Sequence, residues 1–241
     1  MVTSREHWEE VYRHWPLSLV APDDPVGVAA LDHFGDVEGR RLLDLGAGRG
    51  EFSVFFASHG ARVVALDRSE VAAEALRQAC RDSGIDNVEP VAAEAFDIAR
   101  LGPFDLVFGK FILHHIEPFA EFAPVLRAAL APDGRAYFHE NSAMSGLLIW
   151  FRDHVVGRFG VPKYGDDDEF PLEPSEVAEL RRHFAVEVDI RETYLARLAS
   201  TYLTKGRLDR PAASVDGLLH RVPALRRRSY YQDLRLRPHP S

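Results

Sequence analysis

The sequence contains little cysteine, with Cys80 as the one cysteine among 241 residues. A single cysteine excludes an internal disulfide and a zinc site built from cysteines, which agrees with a reducing compartment. Cys80 lies among helix-forming residues, so we expect it to pack as a small apolar group. No apolar run approaches the roughly 18 to 20 residues of a membrane span, and the first residues contain no apolar signal core. We therefore expect a cytoplasmic protein with no membrane partner.

Net positive charge is also lacking, because 37 acidic residues outnumber 29 lysines and arginines and give a formal charge of -8. This balance is atypical of proteins that bind nucleic-acid phosphates. One local exception is the arginine-rich run HRVPALRRRSYYQDLRLRP, for which a solvated surface is a commoner explanation than a nucleic-acid site. The length suits one hydrophobic core, so we predict a single domain over residues 1–241.

From residue 40 onward, short apolar runs alternate with helical patterns, which predicts a parallel sheet with helices on both faces. Pro90 in the third run predicts a strand at the sheet edge. Ser69 and Gly84 are typical of the start and end of a helix, and PDG before the fifth run predicts a turn. The predicted strands are RLLDLG, ARVVALD, VEPVAA, FDLVFGK, RAYFHEN, VEVDIRET and SYYQDLRLR, of which the last two suit antiparallel pairing.

Two aromatic-rich regions flank this pattern. Residues 1–38 predict an N-terminal helical cap, or lid, and residues 145–175 an insertion after the fifth strand. Because aromatic side chains commonly line sites for organic molecules, we predict substrate contacts in both regions, with core packing as the alternative. The acid run DDDE at 166–169 is expected to be solvated, and no metal site is predicted. The predicted substrate-binding residues are Trp8, Tyr12, Trp150 and Tyr164.

Three glycines at alternate positions, Gly46, Gly48 and Gly50, lie between the first strand and a helix. Their missing side chains permit tight turning and let a ligand approach backbone N–H groups at the helix start. Asp67 ends the second strand, where a carboxylate can accept both hydroxyls of a ribose. Nicotinamide, flavin and S-adenosylmethionine all carry such a ribose, so these features leave the ligand open.

The spacing of the loop and the charge before it narrow the choice. A dinucleotide fingerprint reads G-x-G-x-x-G, whereas this loop reads G-A-G-R-G-E and has Glu51 in the place of the last glycine. Asp44, two residues before Gly46, repels a pyrophosphate but attracts an ammonium or sulfonium group. The sequence therefore favours a cationic nucleoside, and a nicotinamide oxidoreductase is the less favoured alternative.

The segments LLDLGAGRG, VVALDRS, PVAAEAF, FDLVFGKFILHHI and VLRAALAPDGRAYF resemble, in order and spacing, the motifs of class I S-adenosylmethionine-dependent methyltransferases. The resemblance implies an α/β Rossmann-like, doubly wound sheet of seven strands in the order 3-2-1-4-5-7-6, with strand 7 antiparallel. It also implies S-adenosylmethionine as the cofactor, with S-adenosylhomocysteine as its product. The residues to which it assigns cofactor contacts are Asp44, Gly46, Ala47, Gly48, Gly50, Asp67, Arg68, Glu94, Ala95 and Lys110.

Two of these residues depart from the family pattern. Glu94 stands where the family usually has Asp against the adenine amino group. Lys110 stands where the family often has Asn or a small residue. Because an ammonium beside a sulfonium is unfavourable, we expect Lys110 to point away or to meet a carboxylate.

Methyl transfer to a hydroxyl requires the removal of a proton, and three residues are predicted to be catalytic. His114 and His115 follow the fourth strand, and Glu140 lies near the end of the fifth. For the two histidines the alternative is a structural role, because LHH is frequent here in the family whatever the substrate. For Glu140 the alternative is a buried, hydrogen-bonded carboxylate. His139 and Glu140 alternate along the strand, so only one of them can face the site.

We predict S-adenosylmethionine-dependent methyl transfer to a small or medium-sized organic acceptor, with oxygen preferred over nitrogen or carbon. One alternative is a methyltransferase-like protein that catalyses cyclisation or another reaction without methyl transfer. A second alternative is a nucleic-acid methyltransferase or binding module that uses the C-terminal arginines, which the acidic balance disfavours.

Overall fold

The computed structural model describes residues 19–146, 149–150, 154–156 and 170–239. Within them the strands form a sheet in the order β3-β2-β1-β4-β5-β7-β6, in which β7 is antiparallel to β5 and β6 and the other pairs are parallel. The strand order and the antiparallel strand expected from the sequence are confirmed. The strands are β1 (Arg41–Leu45), β2 (Arg62–Asp67), β3 (Val88–Ala92), β4 (Phe104–Lys110), β5 (Leu130–Asn141), β6 (Phe184–Asp189) and β7 (Tyr231–Pro238).

Helices cover both faces of the sheet. One face carries α1 (Pro25–Phe34), α2 (Glu51–Ser58) and α3 (Glu70–Ser83), and the other carries α4 (Ile98–Leu101), α5 (Phe119–Ala129) and α6 (Pro174–His183). Short 3-10 helices follow β3 and β4, at Ala95–Asp97 and Leu113–His115. No helix of the described ranges has the length and apolar character that crossing a membrane requires. The predicted cap and insertion fall partly outside the described residues, so those two assignments stay predictions.

Each face of the sheet contributes one hydrophobic core. Phe56 and Tyr137 pack on Phe108 from the α1 and α2 side, with ring centroids 4.9 Å and 6.2 Å away. Phe122 and Leu126 of α5 are fully buried on the opposite side. Because both faces are covered, the central strands are apolar along their length, which is why they read as continuous hydrophobic runs.

Several local signals act as the sequence predicted. β3, which carries Pro90, is the edge strand of the sheet. The Ser69 hydroxyl accepts a hydrogen bond from the Ala72 N–H at 3.2 Å, and Gly84 ends α3 in the left-handed conformation. The predicted PDG turn lies within the range of β5, as a bulge in its pairing with β4. Between the pairs Phe104–Leu130 and Leu106–Arg135, β5 has three more residues than β4, and a Cβ on Gly134 would lie 3.0 Å from the Ala131 carbonyl oxygen. The chain therefore turns at PDG without ending the strand.

A helical insertion between β6 and β7 was not predicted from the sequence. It contains α7 (Ala196–Thr204), α8 (Asp209–His220) and α9 (Pro223–Arg226). Asp216 of α8 is 2% exposed, and its carboxylate accepts the N–H groups at the start of α7, at 2.8 to 3.0 Å. These donors have no partner within α7, so Asp216 joins the two helices into one unit.

We predict that Asp216→Ala destabilises the protein by about 2–4 kcal/mol, because it leaves three partly buried N–H groups without their acceptor. Urea unfolding followed by circular dichroism measures the change. Asp133→Ala, at an exposed position in the β5 bulge, is the control and should stay within about 0.5 kcal/mol of the wild type. Equal effects of the two substitutions would show that Asp216 does not hold α7 and α8 together.

Candidate functional site

A cavity of about 740 Å³ opens at the carboxyl edge of the sheet. It lies where β1, β2 and β4 end. β1 and β4 are neighbours in the sheet, and from this pair the strand order continues to β2 and β3 on one side and to β5 on the other, so the cavity lies at the point where the order reverses. Such a switch point is the usual ligand site of open α/β sheets, and the volume suits an organic ligand. Nine of the ten predicted cofactor residues line this cavity, and they are Asp44, Gly46, Ala47, Gly48, Asp67, Arg68, Glu94, Ala95 and Lys110.

The tenth predicted residue, Gly50, lies outside the lining and shapes the loop instead. It takes a φ of +84° as the residue before α2, and a side chain there would place Cβ 2.4 Å from Leu76. Gly46 has a φ of +72°, and a Cβ there would lie 2.6 Å from Ile112. The Gly46 and Ala47 N–H groups donate to the Leu66 carbonyl at 2.8 and 2.9 Å. The glycines therefore keep the loop compact against its neighbours and leave the cavity open.

Asp44 is a buried acid at the base of the cavity. Asp44 is only 3% exposed, and the Ser53 hydroxyl donates a hydrogen bond to its Oδ2 atom at 2.5 Å. Burial raises the pKa of Asp44 to about 7, and the charges of Glu51 and Asp67 add to that rise. A positive ligand group beside Asp44 would favour the charged carboxylate, so this position suits a cation.

Asp67 holds the glycine loop to the end of β2. Its Oδ2 atom accepts the Gly48 N–H at 2.9 Å and its Oδ1 atom accepts the Ser69 N–H at 2.9 Å. Burial raises the pKa of Asp67, although these two hydrogen bonds oppose the rise. Each carboxylate oxygen accepts more than one hydrogen bond, so Asp67 retains the capacity to accept ligand hydroxyls.

Lys110 ends β4 and meets two aromatic rings. Its Nζ atom lies 4.9 Å from the Phe52 ring centroid and 5.6 Å from that of Phe111, in cation–π geometry. Burial lowers the pKa of Lys110, and the charges of Asp24 and Glu51 oppose that shift. Asp24 and Glu51 thus place negative charge near the ammonium, and the expectation that Lys110 points away from a bound cation or meets a carboxylate stays a prediction.

Aromatic residues that the sequence analysis missed line another part of the cavity. Phe111 takes a φ of +54°, which is uncommon for a bulky residue and is found mostly at functional sites. Tyr231 packs 5.7 Å from the Phe111 ring and 5.0 Å from that of Tyr230, measured between centroids, and all three line the cavity. The YY pair before the last strand was the available signal. Its position became clear only because antiparallel β7 brings Tyr231 beside Asn141 at the end of β5.

Glu140 is a positioning residue rather than the predicted catalytic residue. It is 0% exposed and does not line the cavity. Its Oε1 atom accepts the N–H groups of Ile112 and Leu113 at 2.9 and 2.8 Å, and its Oε2 atom lies 2.7 Å from His114 Nδ1. Both oxygens are engaged and no surface is open to a substrate, so the carboxylate instead holds the turn after β4.

Both predicted histidines line the cavity, but they differ in what surrounds them. The His114 side chain is 2% exposed because it is turned toward Glu140, and its ring centroid lies 4.2 Å from that of His115.

His139 lies on the opposite side of β5 from Glu140, as alternation requires, with its Nδ1 atom 2.7 Å from Asp233. Its ring packs against Phe111 and Tyr231.

The predicted substrate-binding residues are not brought together by the described part of the chain. Trp150 is 53% exposed, stacks on His154 with centroids 5.1 Å apart, and is not among the residues that line the cavity. The placement of Trp150 in the substrate site was therefore wrong for this conformation, because its ring faces solvent. Trp8, Tyr12 and Tyr164 lie outside the described residues.

Known proteins resemble this chain in sequence and in fold. Residues 43–136 match a family model described as a methyltransferase domain. The ubiquinone biosynthesis O-methyltransferase of Burkholderia multivorans is 31% identical over 160 residues, which are 64% of this chain and 68% of that protein. The protein of the same name from Paraburkholderia xenovorans is 27% identical over 162 residues, which are 66% and 69% of the two chains.

Two solved structures illustrate the shared fold. The Burkholderia thailandensis 1,6-didemethyltoxoflavin-N1-methyltransferase, with bound 1,6-didemethyltoxoflavin and S-adenosylhomocysteine, has a TM-score of 0.58 and 20% identity and covers 98% of this chain and 84% of that one. The Haemonchus contortus phosphoethanolamine N-methyltransferase 2, in complex with phosphomonomethylethanolamine and S-adenosylhomocysteine, has a TM-score of 0.64 and 16% identity. The match covers 100% of this chain and 61% of that one.

We predict that Asp44→Asn changes how stability depends on pH. Because the pKa of Asp44 rises from 3.8 to about 7 on folding, the folded state binds the extra proton between these values and wild-type stability falls as the pH rises. Asparagine removes this loss while still accepting from Ser53. The variant should therefore gain up to about 4 kcal/mol relative to the wild type between about pH 4 and pH 8.

Urea unfolding of both proteins across this pH range measures the difference. Asp82→Asn, at an exposed position on α3, is the matched control and should follow the wild-type pH dependence. If the free energy of unfolding of Asp44→Asn and of the wild type depended on pH in the same way, the pKa of Asp44 would not be raised by folding, which would contradict the prediction.

Proposed function

The chain belongs to the class I S-adenosylmethionine-dependent methyltransferases, and we propose that it methylates a hydroxyl oxygen of a small or medium-sized organic molecule. The observation that carries the proposal is the pair of carboxylates, Asp44 and Asp67, at the ends of adjacent strands in one cavity. When bound, S-adenosylmethionine supplies a methyl group on a sulfonium, and the neutral thioether of S-adenosylhomocysteine is a good leaving group. The residues of this chain have to bind the methyl donor and the acceptor, orient them toward each other and exclude water.

The residues of the cavity fit this cofactor chemically. The acids Asp44 and Glu51 would place negative charge beside a cationic group, and Gly46 lets the loop pack closely against Ile112, where a side chain would collide. Asp67 provides acceptors for the ribose hydroxyls. We assign the adenine contacts to the end of β2 and the segment after β3, at Arg68, Glu94 and Ala95.

The acceptor half of the proposal rests on the aromatic wall formed by Phe111, Tyr230 and Tyr231. Aromatic rings favour a flat, apolar body, and tyrosine hydroxyls and the Asn141 amide add polar contacts that orient it. The names of the curated relatives, ubiquinone biosynthesis O-methyltransferases at 27 to 31% identity, support oxygen as the acceptor atom. A cytoplasmic location stays a prediction that cell fractionation tests.

A hydroxyl acceptor has to lose a proton, and we assign its acceptance to His115. His114 is nearly inaccessible at 2% exposure and is bound to Glu140, which suits it to hold the turn after β4. His115 lines the cavity in the same turn, beside the His114 ring. An imidazole there has the right chemistry for a general base near neutral pH.

Calorimetric titration tests the cofactor assignment. S-adenosylmethionine should bind the wild type, and Asp67→Asn should weaken binding about 10- to 100-fold, because hydrogen bonds to a charged group contribute about 1.5–3 kcal/mol. Asp82→Asn should bind as the wild type does, and NAD should give no heat. Folded protein that binds NAD but not S-adenosylmethionine would overturn the cofactor assignment.

Release of S-adenosylhomocysteine in a screen of ring-bearing phenols, alcohols and amines tests methyl transfer and the base. With a hydroxyl acceptor, His115→Asn should lower kcat about 10²- to 10⁴-fold near neutral pH and recover as the acceptor itself ionises at higher pH. His183→Asn, on α6, is the matched control. An unchanged pH profile in His115→Asn would exclude it as the base, and turnover without methylated product would favour the alternative of a reaction without methyl transfer.

A further inference from the structure

An exposed apolar stripe runs along α8 in the insertion between β6 and β7. Its members recur at intervals of three and four residues, which places those within α8 on one side of that helix, and the first and last members flank its two ends. Large hydrophobic residues account for most of it, with exposures of 53, 47, 62 and 45% for Leu208, Val215, Leu218 and Val222. The apolar stripe consists of Leu208, Pro211, Val215, Leu218 and Val222, all exposed.

The stripe is exposed because α8 packs on α7 through a different side. Ala212 and Asp216, four residues apart, are buried at 9 and 2% exposure. Asp216 binds the N–H groups at the start of α7, so this side is fixed toward the neighbouring helix. The orientation of the stripe is therefore set by the polar contact between the two helices.

Exposed arginines lie beside the apolar stripe. Arg207, Arg210 and Arg221 each precede a stripe residue by one position, so they lie along the same flank of the helix; we call them the arginine flank. All three are exposed, and none forms an ion pair with another described residue. Residues 226–228 add three more exposed arginines at the end of α9. This local positive charge contrasts with the net charge of -8 of the whole chain.

We propose that the apolar stripe and the arginine flank dock this protein on the surface of an anionic lipid bilayer. This departs from the expectation of no membrane partner, which rested on the lack of a spanning segment and does not concern surface binding. Apolar side chains beside arginines match the boundary between acyl chains and phosphate headgroups, where amphipathic helices bind. Nucleic acid offers phosphates but no apolar layer for the stripe. A two-fold, antiparallel pairing with a second copy would bring the arginine flank against itself, which like-charge repulsion disfavours.

The chain links this surface to the cavity. Ser229, directly after the arginines, is fully buried and bonds both the Tyr194 N–H and the Glu192 carbonyl at 3.0 Å. The next two residues, Tyr230 and Tyr231, line the cavity. Docking through α8 would thus hold the aromatic wall near the bilayer, which suits an apolar acceptor. That last clause rests on the proposed function, whereas docking itself does not.

Co-sedimentation with vesicles tests docking without any enzymatic readout. The wild type should bind phosphatidylcholine vesicles that contain about one third phosphatidylglycerol, bind phosphatidylcholine alone much less, and be partly released by salt. Arg207→Gln with Arg221→Gln should weaken partitioning about 25-fold, at about fivefold per cation. Val215→Ser with Leu218→Ser should weaken it about tenfold or more.

Matched substitutions elsewhere control for charge and hydrophobicity. Arg40→Gln with Arg100→Gln, and Val28→Ser, change exposed residues outside α8 and should bind as the wild type does. Circular dichroism confirms that each variant is folded.

Three outcomes would overturn the proposal. One is folded wild type that fails to bind anionic vesicles at low salt. Another is a stripe variant that changes the oligomeric state by light scattering while vesicle binding stays the same, which would indicate a second copy. The third is RNA binding that depends on the arginine flank and not on the stripe, without vesicle binding.

Discussion

The central strands of the sheet are buried on both faces, and this constraint decides where polar groups can lie. Residues such as Leu43 and Val107 are 0% exposed, so charged side chains along these strands would lose their hydration without gaining a partner. Polar side chains therefore concentrate where the strands end. Asp44, nearest the interior, is accommodated with the Ser53 hydroxyl and a pKa raised to about 7. Its stability cost and its attraction for a cation have the same origin.

Buried carboxylates accept backbone N–H groups at three places where the chain changes direction. Asp67 joins the glycine loop to β2, Glu140 holds the turn after β4, and Asp216 joins α7 to α8. In each place the N–H groups lie in a turn or in the first residues of a helix, where no backbone carbonyl accepts them, and have to be satisfied. Asp67 and Glu140 thus position segments that line the cavity, and Asp67 alone among the three acids also lines it.

Local patterns and the family resemblance predicted most of the sheet and nine residues of the cavity lining, because both depend on short stretches of sequence. The glycine spacing, Asp67 at a strand end and Pro90 at the sheet edge needed no knowledge of distant contacts. Glu140 was assigned a catalytic role because alternation along a strand does not reveal which face is sealed by a neighbouring turn. The helices between β6 and β7 were missed because Gly206, Pro211, Gly217 and Pro223 interrupt their pattern.

The sequence by itself determined the family, because its motifs are short stretches whose composition and spacing do not depend on distant contacts. The resemblance to that family in turn implied the strand order and S-adenosylmethionine as the cofactor. Tertiary structure alone decided which aromatic residues line the cavity. Tyr230 and Tyr231 lie nearly 90 residues after β5 and reach the cavity only because β7 returns antiparallel beside it. Burial likewise distinguishes His115, which is partly exposed and lines the cavity, from Glu140, which is fully buried outside it. The exposure of a residue depends on the packing of distant segments, which its own segment does not encode.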